Sequence, residues 1–156
     1  MILALDLGTR CGWAMAAPTF AGSIEHRLLE SGVQIFDVKR GESPGMRYLR
    51  FRRWLEDITP SDCSLIAYEN FHMRGGAATE IAAGLVTRVQ ELCALRGIQH
   101  AAVHSASLKK FTTGRGNADK AAMLAAVAQR WKAVESDDEA DAIAVLYWAL
   151  AEFAAP

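Results

Sequence analysis

The sequence predicts an α/β fold in which a mixed β-sheet, antiparallel on one side and parallel on the other, is covered by helices. Three observations lead there. Three short apolar runs follow one another at the start of the chain, joined by turn residues and not by helical segments. Later runs alternate with segments of helical periodicity, the mark of strand–helix–strand units. Two of the strand-like runs end in a carboxylate, at the edge of the sheet where such folds open their binding crevice.

The elements follow in order. Ile2–Leu5 is an apolar run feeding the turn Asp-Leu-Gly-Thr, and Gly12–Ala17 resumes it until Pro18, so the two read as a hairpin around Gly8–Cys11. Ser31–Val38 is a third strand, carrying Val33, Ile35, Phe36 and Val38, and Gly41–Gly45 is its exit loop. Met46–Ile58 places Met46, Leu49, Trp54, Leu55 and Ile58 at helical spacing, while Arg47, Arg50, Arg52 and Arg53 form a solvated face. Ser64–Phe71 is a fourth strand with Leu65, Ile66 and Ala67 buried. Thr79–Leu95 is a long helix with Ile81, Leu85, Val89, Leu92 and Leu95 in a row and Gly97 as its cap. Ala101–Val103 is a brief fifth strand. Lys109–Lys120 contains a loop with Gly114 and Gly116, Ala118–Lys132 reads as an alanine-rich helix, and a last helix runs from near Ser136 to about Phe153. The two crossovers between parallel strands are expected to be right-handed.

Composition bounds the function. A chain of 156 residues with 51% apolar and 22% charged residues is one folded domain, residues 1–156, and not a disordered segment. A net charge of −1 excludes a uniformly basic nucleic-acid coat but leaves room for a local basic patch. Three cysteines without metal-like spacing fit reduced thiols. No apolar run approaches the roughly 20 residues that span a bilayer, and no basic segment precedes a hydrophobic one at the start. The expected location is therefore cytoplasmic, with no membrane partner.

The chemistry is carried by acids. Asp6 and Glu69 each end an apolar strand, so if those strands are neighbours both carboxylates enter one cleft. Ser136–Glu139 matches a capping box, with Ser136 as the N-cap and Glu139 reaching back. Asp138 and Asp141 then share a face that continues through Val145 and Trp148, while Asp137 serves the helix dipole. Each acid has a plainer reading as a turn residue, dipole partner or member of an ion pair. Four that converge point to hard divalent cations: Mg²⁺, with Mn²⁺ as substitute, takes oxygen ligands and substrate phosphates. Two such ions roughly 3.5–4 Å apart clamp the attacking and leaving oxygens of a phosphodiester.

Between His104 and Lys120 the cations Lys109, Lys110, Arg115 and Lys120 stand against Asp119 alone, a net of +3. Such a cluster beside an acidic cleft fits phosphate contact. Lys120 lies where the helix dipole disfavours a cation, and a bound phosphate would account for it there. His104, after the fifth strand, either orients a water or simply ends the strand, and Arg74 falls in a glycine-containing connection.

The D-x-G-T-x-x-G start (Asp6, Gly8, Thr9, Gly12), the strand-ending Glu69, the D-x-x-D-A-x-A helix (Asp138, Asp141, Ala142, Ala144) and the segment Lys109–Lys120 resemble the RuvC family of Holliday junction resolvases, within the ribonuclease H-like superfamily. The resemblance runs from Ile2 to about Ala151. It implies a five-stranded sheet of order 3-2-1-4-5 with strand 2 antiparallel, flanked by helices. It implies a homodimeric, Mg²⁺-dependent endonuclease that resolves branched DNA, the four-way junction, by paired nicks. Asp6, Glu69, Asp138 and Asp141 carry over as metal ligands and catalytic acids, and Lys109 and Lys120 as phosphate-side cations, Lys120 catalytic. Lys110, Arg115, Phe71, His72 and Arg74 are expected on the DNA. The family's aromatic wedge falls three positions after the glutamate, where this chain has His72, with Phe71 one earlier. With no basic tail after the last helix, the chain looks more like bacteriophage-type relatives. For the dimer, the helix Thr79–Leu95 with its small residues Ala82, Ala83 and Gly84 is the candidate interface. Other readings remain: a ribonuclease H-like nuclease acting on RNA or DNA flaps, a catalytically silent nucleic-acid-binding module, or an actin-like phosphotransferase using Asp6–Thr9 as a phosphate loop.

Overall fold

The computed structural model describes residues 1–18, 29–70 and 75–153. The strands are β1 (Ile2–Asp6), β2 (Arg10–Ala16), β3 (Glu30–Ile35), β4 (Leu65–Asn70) and β5 (Gln99–His104). The helices are α1 (Gly45–Ile58), α2 (Gly76–Arg96), α3 (Ser105–Thr113), α4 (Lys120–Arg130) and α5 (Asp137–Phe153). The sheet order is β3-β2-β1-β4-β5. Pairing is antiparallel from β3 through β1 and parallel from β1 through β5, as the sequence predicts.

Residue alternation divides the sheet into two faces. Leu3, Leu5, Met15, Ile66 and Tyr68 point to one side and pack under α1 and α2 with Phe51, Leu55, Leu85, Val89 and Leu92. Ile2, Ala4, Ala14, Ala16, Leu65, Ala67 and Val103 point to the other and pack under α3, α4 and α5. The second face is unusually small-sided at its centre, where Ala4 pairs with Ala14 on one flank and Ala67 on the other. Ala140, Ala142, Ala144 and Ala149 of α5 lie against this floor, all buried. Alanine against alanine lets a helix approach a sheet closely, and α5 lies across β1 and β2 as a result.

The approach is tightest at Gly12. It continues the Ala16–Ala14 row of β2 and is the register partner of Asp6. A Cβ at Gly12 would collide with the backbone carbonyl of Asp138 in the first turn of α5. The glycine is required here for space and not for an unusual backbone angle.

Several expectations need correction. The loop expected within Lys109–Lys120 is preceded by a helix that the sequence reading lacks. That helix is α3, with Leu108 and Thr112 buried, closed by Gly114 at φ 83°. Leu108, Phe111 and Thr112 have helical spacing, but the helix is short and the glycines after it dominate a sequence reading. In α1, Arg47 and Arg50 are not merely solvated: Arg47 donates to the Phe36 carbonyl at 3.1 Å, and Arg50 donates to the Asp37 carbonyl at 2.9 Å and forks onto Glu42. In α2, Ala82 is buried, and Gly84 lies under the Tyr48 ring of α1, where a side chain would clash. The capping box is half made: the Glu139 amide donates to Ser136 Oγ at 3.4 Å, but its carboxylate accepts from Ser31 Oγ at 2.7 Å and faces Lys132 Nζ at 3.7 Å. That triad ties the start of α5 to the edge strand β3. Among the described residues, no helix is long and apolar enough to cross a membrane.

Gly12→Ala should destabilise the protein by at least the roughly 1–3 kcal/mol of an overpacked core site, because the obstacle is backbone and cannot rotate away. In a domain of this length that lowers the melting temperature by about 2–4 °C per kcal/mol. An unchanged thermal midpoint would contradict the close packing of α5 on β2.

Candidate active site

Asp6 lies on the same sheet face as Ile2 and Ala4, and Glu69 on the same face as Leu65 and Ala67. The parallel register pairs Leu5 with Tyr68, so Asp6 and Glu69 follow at the next step, side by side at the carboxyl ends of β1 and β4. The α5 first turn, seated on Gly12, brings Asp138 and Asp141 over the same corner. Glu69 and Asp141 line a cavity of about 190 Å³, together with Ser105, Leu108, Lys109, Lys120 and Met123.

The electrostatics record this crowding. The Asp6 carboxyl is held well above the usual carboxylate range, first by burial and then by the charges of Asp141, Glu69 and Asp138, with Lys120 pulling the other way. Asp141 is pushed up to about 7, first by burial and then by Glu69. Burial, then Asp6, also pushes up the thiol of Cys11. All three cysteines are free, as the sequence predicts. The rim is offset by cations. Arg10 Nε donates to Asp138 Oδ2 at 3.0 Å, and Lys120 Nζ donates to Asp137 Oδ2. Among the described residues, no three His, Cys, Asp or Glu side chains close round a single point. The acids stand within electrostatic reach of one another, with Asp138 turned toward Arg10.

The structure thus brings together Asp6, Glu69, Asp138, Asp141, Lys109 and Lys120. It moves Lys110 and Arg115 away from the acids, to an open groove between α3 and α4. Lys120 is the first residue of α4, and Asp119 caps that helix by accepting from the Ala122 amide at 2.8 Å. Asp137, expected to serve only the dipole, is the partner of Lys120. His104 ends β5, paired with Asn70. Phe71, His72 and Arg74 lie outside the described residues. Sequence reasoning missed Arg10 and Ser105. Arg10 directly follows the Asp6–Thr9 turn, and Ser105 follows the carboxyl end of β5, so the strand-end rule that finds Asp6 and Glu69 points to Ser105 too.

No family sequence model matches the chain, and no curated protein matches it. Solved structures do. A RuvC structure from Thermus thermophilus superposes with a TM-score of 0.76 at 23% identity, covering 97% of this chain and 94% of that one. T. thermophilus RuvC in complex with a Holliday junction substrate gives 0.71 at 20% identity, covering 97% and 95%. A Fowlpox virus resolvase in complex with its substrate Holliday junction DNA gives 0.63 at 11%, covering 98% and 100%. The sheet order and the helices on both faces are those of the ribonuclease H-like fold of RuvC.

The raised carboxyls make stability depend on pH, with a definite sign. Asp141, ordinarily at 3.8, binds its proton more tightly folded than unfolded, up to about 7. Between those values the folded state holds more protons, so the stability contributed by this group is lost as pH rises through the window. The metal-free protein should therefore melt at a lower temperature at pH 8 than at pH 5. Asp141→Asn should flatten that dependence and melt higher than the parent at pH 8. Superimposable pH profiles for the two would show that Asp141 is not under this strain.

Proposed function

We propose that this chain, built on the ribonuclease H-like fold of RuvC, is a divalent-cation-dependent endonuclease that nicks branched DNA, with the four-way junction as its substrate. The observation that carries the reading is the pairing of acids with cations around one cavity. Glu69 and Asp141 line it beside Lys109 and Lys120, and Asp6 and Asp138 crowd its acidic corner. That is the arrangement required by a reaction in which cations are held on one side and a phosphodiester on the other. Support for the substrate comes from two of the structures it resembles, which are complexes with Holliday junction DNA.

The donor set fits the metal. It consists of carboxylates alone, which select hard cations such as Mg²⁺ or Mn²⁺. The Asp6 carboxyl, raised first by burial and then by three like charges, is a group that a cation would relieve. Asp6, Glu69 and Asp141 would hold the ions, with Asp138 joining on release from Arg10. When bound, such ions supply a more acidic water and charge neutralisation at the phosphate. The chain's own residues do the rest. Lys109 and Lys120 position the non-bridging oxygens and stabilise the charge that grows on them. Asp137 holds the Lys120 ammonium, and the Ser105 hydroxyl offers a further donor at the cavity wall. Arg10 supplies a cation at the rim beside Asp138. Two coordinated nicks on a nearly two-fold symmetric junction call for a C₂ homodimer. Its mass in solution with bound junction should be that of two chains, and a persistent monomer would remove that part of the reading.

The function is tested by incubating the protein with matched four-way junction, flap, RNA–DNA hybrid and linear duplex. Paired nicks in the junction are expected with Mg²⁺ or Mn²⁺, and none with excess chelator. Ca²⁺ should support binding without cutting. Asp6→Asn and Asp141→Asn should abolish cutting while leaving junction binding intact or tighter, since removal of a negative charge eases phosphate approach. Cutting in chelator, or wild-type rates from Asp6→Asn, would refute the metal assignment, and preference for the hybrid or flap would replace the substrate.

Lys120→Ala should lower the single-turnover rate by on the order of 10²–10³, the effect of removing one preorganised donor. Junction affinity should fall much less, because other cations share the backbone contacts. A rate within about threefold of the parent would leave Lys120 as the partner of Asp137 only, an exposed pair worth about 0–1 kcal/mol.

A further inference from the structure

A second concave surface lies on the other side of the α3–α4 pair. It is an open groove of about 560 Å³, walled by Lys110, Arg115 and Arg130 and floored by Ala122, Ala125 and Ala126. Among the described residues, no carboxylate lines it. The nearest acid in sequence, Asp119, is engaged as the α4 cap. By contrast, the small cleft between α1 and α2 is mixed in sign, with Arg52 and Arg88 beside Glu56 and Glu91. In a chain of net charge −1, an acid-free groove with three cations is a local feature and not a general property of the surface.

We infer that this groove is a second nucleic-acid site, a track for the sugar–phosphate backbone of a duplex arm leaving the cavity. The inference rests on the nuclease reading above and adds where the substrate runs. Arg130 is the strongest reason. Its Nη1 donates to the carbonyls of Phe111 and Thr112 at 2.7 and 2.8 Å. Its guanidinium lies over the rings of Phe111, at 5.5 Å, and Trp131, at 4.5 Å. Trp131 in turn stacks on Tyr147 at 4.4 Å, so the cation is fixed on a ladder of rings anchored in α5. A guanidinium immobilised by folding loses little further freedom when a phosphate binds.

Geometry links the groove to the cavity. Lys109 lines the cavity and Lys110, the next residue, lines the groove. On α4, Lys120 and Met123 face the cavity, while Ala122, Ala125 and Ala126 face the groove. A backbone held at Lys109 and Lys120 therefore meets the groove cations on crossing the two helices. The alanine floor leaves room for it.

Ala125 is exposed, so charge can be introduced there without touching the core. Ala125→Glu and Ala125→Lys are compared with the parent in Ca²⁺, with melting temperature as the check on folding. Equilibrium binding to a four-way junction and to a linear duplex is measured across a salt series. Ala125→Glu should weaken binding several-fold and Ala125→Lys should tighten it, with the salt slope steeper by up to about 1 for the lysine. Folded variants that bind both DNAs like the parent, with the same salt slope, would overturn the inference. So would a response confined to an acidic competitor such as polyglutamate. If the parent bound junction and linear duplex equally, the junction reading would fail while the Ala125 pair still reported on the groove. If the parent bound neither DNA, the groove inference would fall as well.

Discussion

The site depends on a side chain that is not there. Gly12 leaves a gap on β2 that the first turn of α5 fills with the backbone of Asp138. Because Gly12 is the register partner of Asp6, the same contact sets the distance between the helix acids and the strand acids. Any larger residue would lift α5 from the sheet at the end that carries Asp138 and Asp141. The alanine floor below it, Ala4, Ala14, Ala16 and Ala67 against the alanines of α5, extends the same logic along the helix. Small residues sacrifice apolar area for proximity, and here proximity places the helix acids beside the strand acids.

Proximity has an electrostatic cost. Asp6 and Asp141 carry raised carboxyls because burial and like charge act together. The fold tolerates this by surrounding the corner with cations at graded distances. Arg10 meets Asp138, Lys120 meets Asp137, and Lys109 shares the cavity wall. These pairs are mostly exposed on the cationic side, so they add little stability in their own right. Each offsets part of the negative charge gathered at this corner. The Ser31–Lys132–Glu139 contacts do the opposite work, holding the start of α5 to β3 away from the site.

Helices α3 and α4 separate two environments. One side closes on the acid cavity with Leu108 and Met123 as apolar wall, and the other opens as a groove with no acid in its lining among the described residues. The basic segment that looks uniform in sequence is thus split by helical geometry. Neighbouring residues on a helix point about 100° apart, so Lys109 and Lys110 face different surfaces. A reading of net charge along the segment cannot see that division.

Much of the architecture was legible in the chain itself, because it is written locally. Short apolar runs bounded by turn residues marked the strands, periodic apolar rows marked α1, α2 and α5, an alanine-rich stretch marked α4, and Gly97 closed α2 as its left-handed cap at φ 67°. Strand-end placement identified Asp6 and Glu69, and helical spacing put Asp138 and Asp141 on one face. Short α3 escaped, since three apolar positions beside a glycine-rich turn carry little periodic signal. What only the tertiary structure decided are the pairings between distant residues: Arg10 with Asp138, Lys120 with Asp137, Tyr48 over Gly84, and Arg130 on the rings of Phe111 and Trp131. Periodicity says which face of an element is apolar, but not which element covers it or how closely. That distance is settled by the side-chain volumes on both surfaces, and at Gly12 and Asp138, far apart in the chain, it comes down to a single missing carbon.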